Sequence, residues 1–482
     1  MIRVDIKYNV IGGVYLGIEG FYLLPHPPIV VPEVGRGEER KIGKTTEALK
    51  NISKDIKDKS PNTIILITPH STMFRDAISL SYEDNMEGDL SEFGVPEVSM
   101  NISINKELTD NIYSIAKDNN IPIVKSTNDL LNDYNSSIKL DHGSIVPLYF
   151  INKFYNHYNI VHITYAPLSD LELYHFGLCI RKAVDKSNNK AIVVASGDLS
   201  HKLKNEGPYE YSPYGEKFDK KFINLLKEGN TKDIFNMDKK IINNAGECGR
   251  RSVIIMLGTL EGKRFKGNLL SYEGTFGVGY AVMKIDNISN NGTTIKDLKN
   301  LNKKKYKDKL NHEDPYVRLA RQNLTSFLTT GKSLVEFPDY VTEKMKQKRR
   351  GVFVSLKKNG NLRGCIGTIF PVTDCIAKEI IRNSIEAGAY DPRFNRVGED
   401  ELKDIDFSVD ILTEPKDTTI SELNPQKYGV IVKSNGKSGV LLPKLDGVDT
   451  IEQQLSIVLR KAGINKEDNY DIQKFEVIRH KE

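Results

Sequence analysis

The chain has 482 residues, with 69 basic against 64 acidic side chains and a formal charge of +5. That length exceeds the ~250–300 residues at which a single hydrophobic core stops growing, so two or three domains are expected. Four cysteines without a C-x-x-C pair, no apolar run of ~18 residues and a near-neutral charge argue against a disulfide scaffold, a zinc knuckle, a membrane span and a nucleic-acid partner. Arg3, Asp5 and Lys7 interrupt the N-terminus, so no signal peptide is expected and the chain reads as soluble and cytoplasmic.

Along the first part, apolar runs alternate with helical patterns. Leu23-Leu24-Pro25-His26-Pro27 ends one run in a proline-bracketed loop that carries His26. Thr63 to Thr68 is a continuous β-branched run, typical of a strand covered on both faces, and Pro69-His70-Ser71 follows it. A helical pattern spans Glu107 to Lys117. Next, Leu140-Asp141-His142-Gly143-Ser144 forms a turn-like polar element before Ile145-Val146-Pro147-Leu148. Asn159 to Ile163 and Ala191 to Ala195 are two more strands, with a helix from Leu171 to Lys186 between them. Ser196-Gly197-Asp198-Leu199-Ser200-His201 then sets an Asp three residues before a His, and Gly246-Glu247-Cys248-Gly249 precedes an apolar helix from Ser252 to Leu260. This order predicts an α/β layered domain, a central sheet flanked by helices.

In open α/β sheets the carboxyl ends of the strands form the ligand crevice. His26, His70 and His201 each follow a strand end, which points to one shared site. Glu247, at a helix N-terminus between glycines, reads either as a metal-balancing carboxylate or as a charge that complements the helix dipole.

These motifs, in this order over residues 8–285, resemble those of class III extradiol ring-cleavage dioxygenases and of the related Memo proteins. The extradiol resemblance implies Fe(II) held by His26, His70 and Glu247, with a catecholic substrate and O₂ in the open positions. His142 and His201 would then be acid/base residues, and Asp198 would orient His201 or cap the segment after it. The Memo resemblance instead implies His201 and Cys248 as ligands and a softer ion, zinc or copper. Adjacent residues point in different directions, so Glu247 and Cys248 compete for one position, and the expectation favours Glu247.

Residues 286–312 are polar and rich in Lys and Asn, and read as a solvated linker. Beyond them, a helix is expected from Arg318 to Thr329, strands over 351–356 and 406–411, and helices over 373–387 and 452–462. Asn361-Leu362-Arg363-Gly364-Cys365-Ile366-Gly367 follows a Lys-Lys-Asn-Gly hairpin signal, and Asp391-Pro392-Arg393-Phe394 comes after the next helix. Residues 313–482 resemble the AMMECR family through these two motifs, which implies a smaller α+β domain. Arg363, Cys365 and Arg393 are its candidate site, either a cation-stabilised thiolate or an anion subsite. The pair of domains resembles the fused B and A parts of the AmmeMemoRadiSam system. That implies a separate radical S-adenosylmethionine partner, since the chain lacks the Cys-x₃-Cys-x₂-Cys cluster motif. A homo-oligomer is the expected assembly.

Overall fold

The computed structural model describes residues 10–11, 14–15, 17–358, 360–445 and 447–481, the side chains of residues 10, 11, 14, 15 and 400 excepted. The chain divides into two compact units, Met1–Asn302 and Lys303–Glu482.

The first unit is built from β1 (Gly17–Leu24), α1 (Gly43–Lys59), β2 (Thr63–Thr68), β3 (Ile78–Ser81) and α2 (Lys106–Asp118). These are followed by β4 (Ile123–Ser126), α3 (His142–Asn152), β5 (Asn159–Thr164), α4 (Asp170–Asp185) and β6 (Lys190–Ser196). It ends with α5 (Pro213–Glu228), α6 (Gly249–Thr259), β7 (Lys263–Glu273), β8 (Tyr280–Asn290) and the first turns of α7 (Ile295–Asn311). One sheet runs in the order β7-β8-β1-β6-β2-β5-β3-β4. Its centre, β1-β6-β2-β5, is parallel.

The β-branched runs form central strands because helices cover both faces. Along β2 and β6 successive side chains enter opposite cores, as the two-residue period of a strand requires. Ile64, Leu66, Ile192 and Val194 pack with Leu49 and Ile52 of α1 and Ile145 of α3. Ile65, Ile67, Val193 and Ala195 pack with Leu108 of α2, Phe176 of α4 and Ile254 of α6. Register pairs Leu24 with Ser196, Ala195 with Ile67 and Thr68 with Thr164, so four parallel strands end at one level. That alignment gathers the turns carrying His26, His70 and His201.

Residues 286–312, expected as a solvated linker, hold the last residues of β8 and the helix α7. The reason is a stripe at three-residue spacing: Leu298 is buried in the first unit's core, and Ile295 and Leu301 pack against it.

The second unit contains α8 (Pro315–Thr330), β9 (Val352–Lys358), β10 (Asn361–Thr368), α9 (Ile376–Ala389) and β11 (Ile405–Leu412). Then come β12 (Lys416–Asp417), β13 (Gly429–Ser434), β14 (Lys437–Leu441), α10 (Ile451–Ala462), β15 (Asp471–Phe475) and β16 (Val477–Lys481). Two antiparallel sheets run β10-β9-β11-β16 and β12-β15-β13-β14. The expected hairpin is present, with Lys358 paired to Asn361 and Gly360 at φ +84°; position 359 lies outside the described residues. Helices α8 and α9 cover the first sheet through Leu324 and Ile380, and α10 covers the second through Val458. Among the described residues no helix is long and apolar enough to cross a membrane.

A candidate metal centre at the ends of the parallel strands

His26 follows β1 directly and is buried. Its backbone N–H donates to Asp198 Oδ1 at 2.9 Å, which ties the proline-bracketed loop to the turn after β6. Its ring Nδ1 lies 2.8 Å from Ser196 Oγ. That hydroxyl donates its only proton to the carbonyl of Gly143, so in this contact Ser196 accepts and His26 carries its proton on Nδ1. Nε2 is left with a free lone pair. It lies 3.0 Å from His70 Nε2 and 3.7 Å from Cys248 Sγ. His26, His70 and Cys248 form a group whose ligand atoms all lie within 4.8 Å of one another and could hold a metal ion. His70 is exposed and gives this group its open side.

Glu247, the expected third ligand, is not in that group. Its Oε2 accepts from the backbone N–H of Arg250 at 2.7 Å, so the carboxylate caps the first turn of α6 instead. Cys248, the residue just before that helix, receives the backbone N–H of Asp198 on its sulfur at 3.2 Å. The two turns meet backbone to backbone here. A Cβ on Gly197 would come within 2.1 Å of Gly249 Cα, which is why glycine stands at both positions. Asp198 therefore holds His26 and Cys248 in place through its carboxylate and its N–H. Neither of its expected roles, orienting His201 or capping, accounts for these contacts.

His142 is the first residue of α3, where Asp141 is the N-cap and accepts from Ser144 N at 3.1 Å. The expected polar turn is thus a helix start. The His142 ring lies tilted against His70, 4.3 Å centroid to centroid, and edge-on to His26 at 5.4 Å. His201 lies outside the three-atom group; its backbone N–H donates to the Gly246 carbonyl at 3.0 Å, two residues before Cys248. Its buried Nε2 has no hydrogen-bond partner among the described residues.

No sequence motif marks His162. It sits on β5 fully buried beneath the site, bridging Ser81 Oγ at 2.9 Å and Ser144 Oγ at 3.0 Å, with Asp141 at 3.6 Å. It thereby supports the Asp141 cap that starts the helix carrying His142. A histidine inside an otherwise apolar strand was the available signal.

Electrostatically the centre is poised for a cation. Burial first, then His70 and His142, hold the His26 imidazole well below its ordinary range. Burial and then His70 push both His142 and His201 down to about 4. Burial and then Asp198 raise the Cys248 thiol well above its ordinary value. Asp198 itself is pushed up to about 7 by burial first and by Asp219 second. At neutral pH the imidazoles are uncharged donors, and a bound cation would reverse the penalty on the thiolate. A donor set of two imidazoles and a thiol, with a partnerless imidazole nitrogen beside it, fits a metal ion.

In the second unit the two motifs meet. The backbone N–H of Cys365 donates to Asp391 Oδ2 at 2.9 Å, and Arg393 donates to the carbonyl of Cys365 at 2.7 Å while pairing with Asp391. A Cβ on Gly364 would lie 2.1 Å from the Ala387 carbonyl. Arg363 bonds elsewhere, to Glu401 at 3.0 Å and to the carbonyls of Asn395 and Arg396. Cys365 Sγ lies 3.1 Å from Ser355 Oγ. The structure thus joins Cys365 to Arg393 and engages Arg363 in a separate ion pair.

Residues 20–283 match the family described as the catalytic LigB subunit of aromatic ring-opening dioxygenase. The chain belongs to the LigB family. Residues 317–480 of this LigB-family chain match a second family, AMMECR1. Over 467 residues it is 61% identical to Protein CA_C1420 of Clostridium acetobutylicum, covering 97% of this chain and 100% of that one. A Thermotoga maritima protein is 46% identical over 172 residues, 35% of this chain and 98% of its own length. The crystal structure of the uncharacterized protein PH0010 from Pyrococcus horikoshii is similar at 28% identity and TM-score 0.31, over 34% of this chain and 88% of that one.

Proposed function

We propose that this LigB-family chain is a Memo-like metal protein whose centre takes a soft ion, copper or zinc, through His26, His70 and Cys248. The observation that carries this reading is the presence of Cys248, and not Glu247, in the only three-residue group of that kind among the described residues. Thiolate and imidazole donors select copper and zinc, whereas the facial triad of Fe(II) oxygenases needs a carboxylate. His201 supplies the fourth donor in this reading, supported by its partnerless buried Nε2. A bound ion would supply Lewis-acid chemistry as zinc, or one-electron chemistry as copper. The chain's own residues do the rest. Ser196 fixes the His26 tautomer, Asp198 steadies the sulfur, and the neutral His142 stands beside His70 to accept a proton from whatever enters on the exposed side.

A second reading, extradiol cleavage of a catecholic substrate with Fe(II), draws on the fold and on His142. It requires the Glu247 carboxylate to leave its cap on Arg250. Metal content of purified variants separates the two. Cys248→Ala should lose the bound ion and Glu247→Ala should keep it. Iron retained by Cys248→Ala and lost by Glu247→Ala, together with oxygen uptake on catechols, would restore the dioxygenase reading.

A further inference from the structure

The second unit has a feature that neither motif explains, a cavity of about 560 Å³ bordered by β11, β12, β15 and β16 of its two sheets. Ligand pockets are commonly ~300–1,000 Å³, largely apolar, with a few charged groups that fix orientation. Five cations line this one, Lys344, Lys348, Arg350, Lys416 and Lys474, against the two carboxylates of Glu414 and Glu476. Arg350 pairs with Glu414 at 3.1 Å, and Lys474 pairs with Glu422 at 2.7 Å. No ion pair joins Lys344, Lys348 or Lys416 to a carboxylate among the described residues. Three lysines of the lining therefore lack the carboxylate partners that neutralise Arg350 and Lys474.

The same walls offer aromatic surface. His480 stacks on Tyr316 with centroids 3.8 Å apart and planes 18° from parallel. Tyr428 contributes a second ring, with the Lys474 ammonium 5.1 Å from its centroid. Ile411 and Leu412 add an apolar floor. Rings and an apolar floor favour a planar organic group, whereas partnerless ammonium groups favour a compact, multiply charged anion.

We propose that this cleft binds a nucleoside phosphate, its base against the aromatic walls and its phosphates on Lys344, Lys348 and Lys416. A small molecule fits better than an extended nucleic acid. Glu414 and Glu476 stand in the same lining, and every further phosphate of a polymer adds repulsion against them.

The test is calorimetric titration of the full chain at low salt with ATP, AMP, adenosine, inorganic phosphate and a short oligoadenylate. ATP should bind more tightly than AMP, and AMP more tightly than adenosine or phosphate. The exposed pair Lys344→Glu and Lys348→Glu together should weaken ATP at least tenfold without moving the unfolding midpoint. Tyr428→Ala should weaken ATP while leaving phosphate unchanged. No heat with ATP, or ATP binding untouched by the lysine pair, would overturn the assignment. Oligoadenylate binding more tightly than ATP would overturn it in favour of nucleic acid.

Discussion

Ser196 touches no ligand position, yet it decides which nitrogen of His26 is available. Its hydroxyl donates to Gly143 and accepts from Nδ1, so Nε2 faces His70 and Cys248. Partners of this kind are worth ~10–100-fold in metal affinity. Ser196→Ala should weaken metal binding by about that factor while the protein stays folded, as competition with a chromophoric chelator would measure. Unchanged affinity would mean that the ring is oriented by packing alone. The neighbours Glu247 and Cys248 illustrate what single-sequence reading lacks at this scale. Both residue types suit a metal, and both stand at a helix start. Their roles are separated by one backbone hydrogen bond, Arg250 N–H to Glu247, that no periodicity encodes. The histidines were legible because each strand end carries one.

At the scale of elements, α5 brings a carboxylate against the turn after β6. Asp219 is fully buried, accepts from Ser200 N at 2.8 Å and Tyr272 OH at 2.7 Å, and is pushed up to about 7, chiefly by burial. A carboxyl whose folded pKa is raised binds its proton more tightly in the native state. Its contribution is present below the unfolded pKa of ~4 and is lost as pH rises through the folded value. Asp219→Asn should therefore raise the unfolding midpoint by several degrees at pH 8 relative to the parent, and by little at pH 4. A gain of equal size at both pH values would contradict this account. The strands 63–68, 159–164 and 190–196 were readable because burial on both faces leaves continuous β-branched runs. β7 and β8 were not, because these longer antiparallel strands mix polar and apolar residues. Helix α7 was hidden by lysines that mask its narrow apolar stripe.

For the whole molecule, the decisive feature is that each unit has its own cores. Leu298 and Ile254 lie in a core of the first unit, Leu324 and Val458 in two separate cores of the second. Stabilisation by a ligand follows RT ln(1 + [L]/Kd) for the unit that binds it. Scanning calorimetry should resolve two transitions. Chelator should lower only the one that Cys248→Ala also lowers, and the other should be unmoved. A single transition, or two that shift together, would show that the units unfold as one.

The central claim is that sulfur enters the metal's coordination. X-ray absorption at the metal edge of loaded protein tests it directly. A sulfur scatterer at about 2.3 Å, the usual zinc–thiolate distance, should appear beside imidazole nitrogens and vanish in Cys248→Ala. A shell of nitrogen and oxygen alone, unchanged in Cys248→Ala and altered in Glu247→Ala, would contradict it.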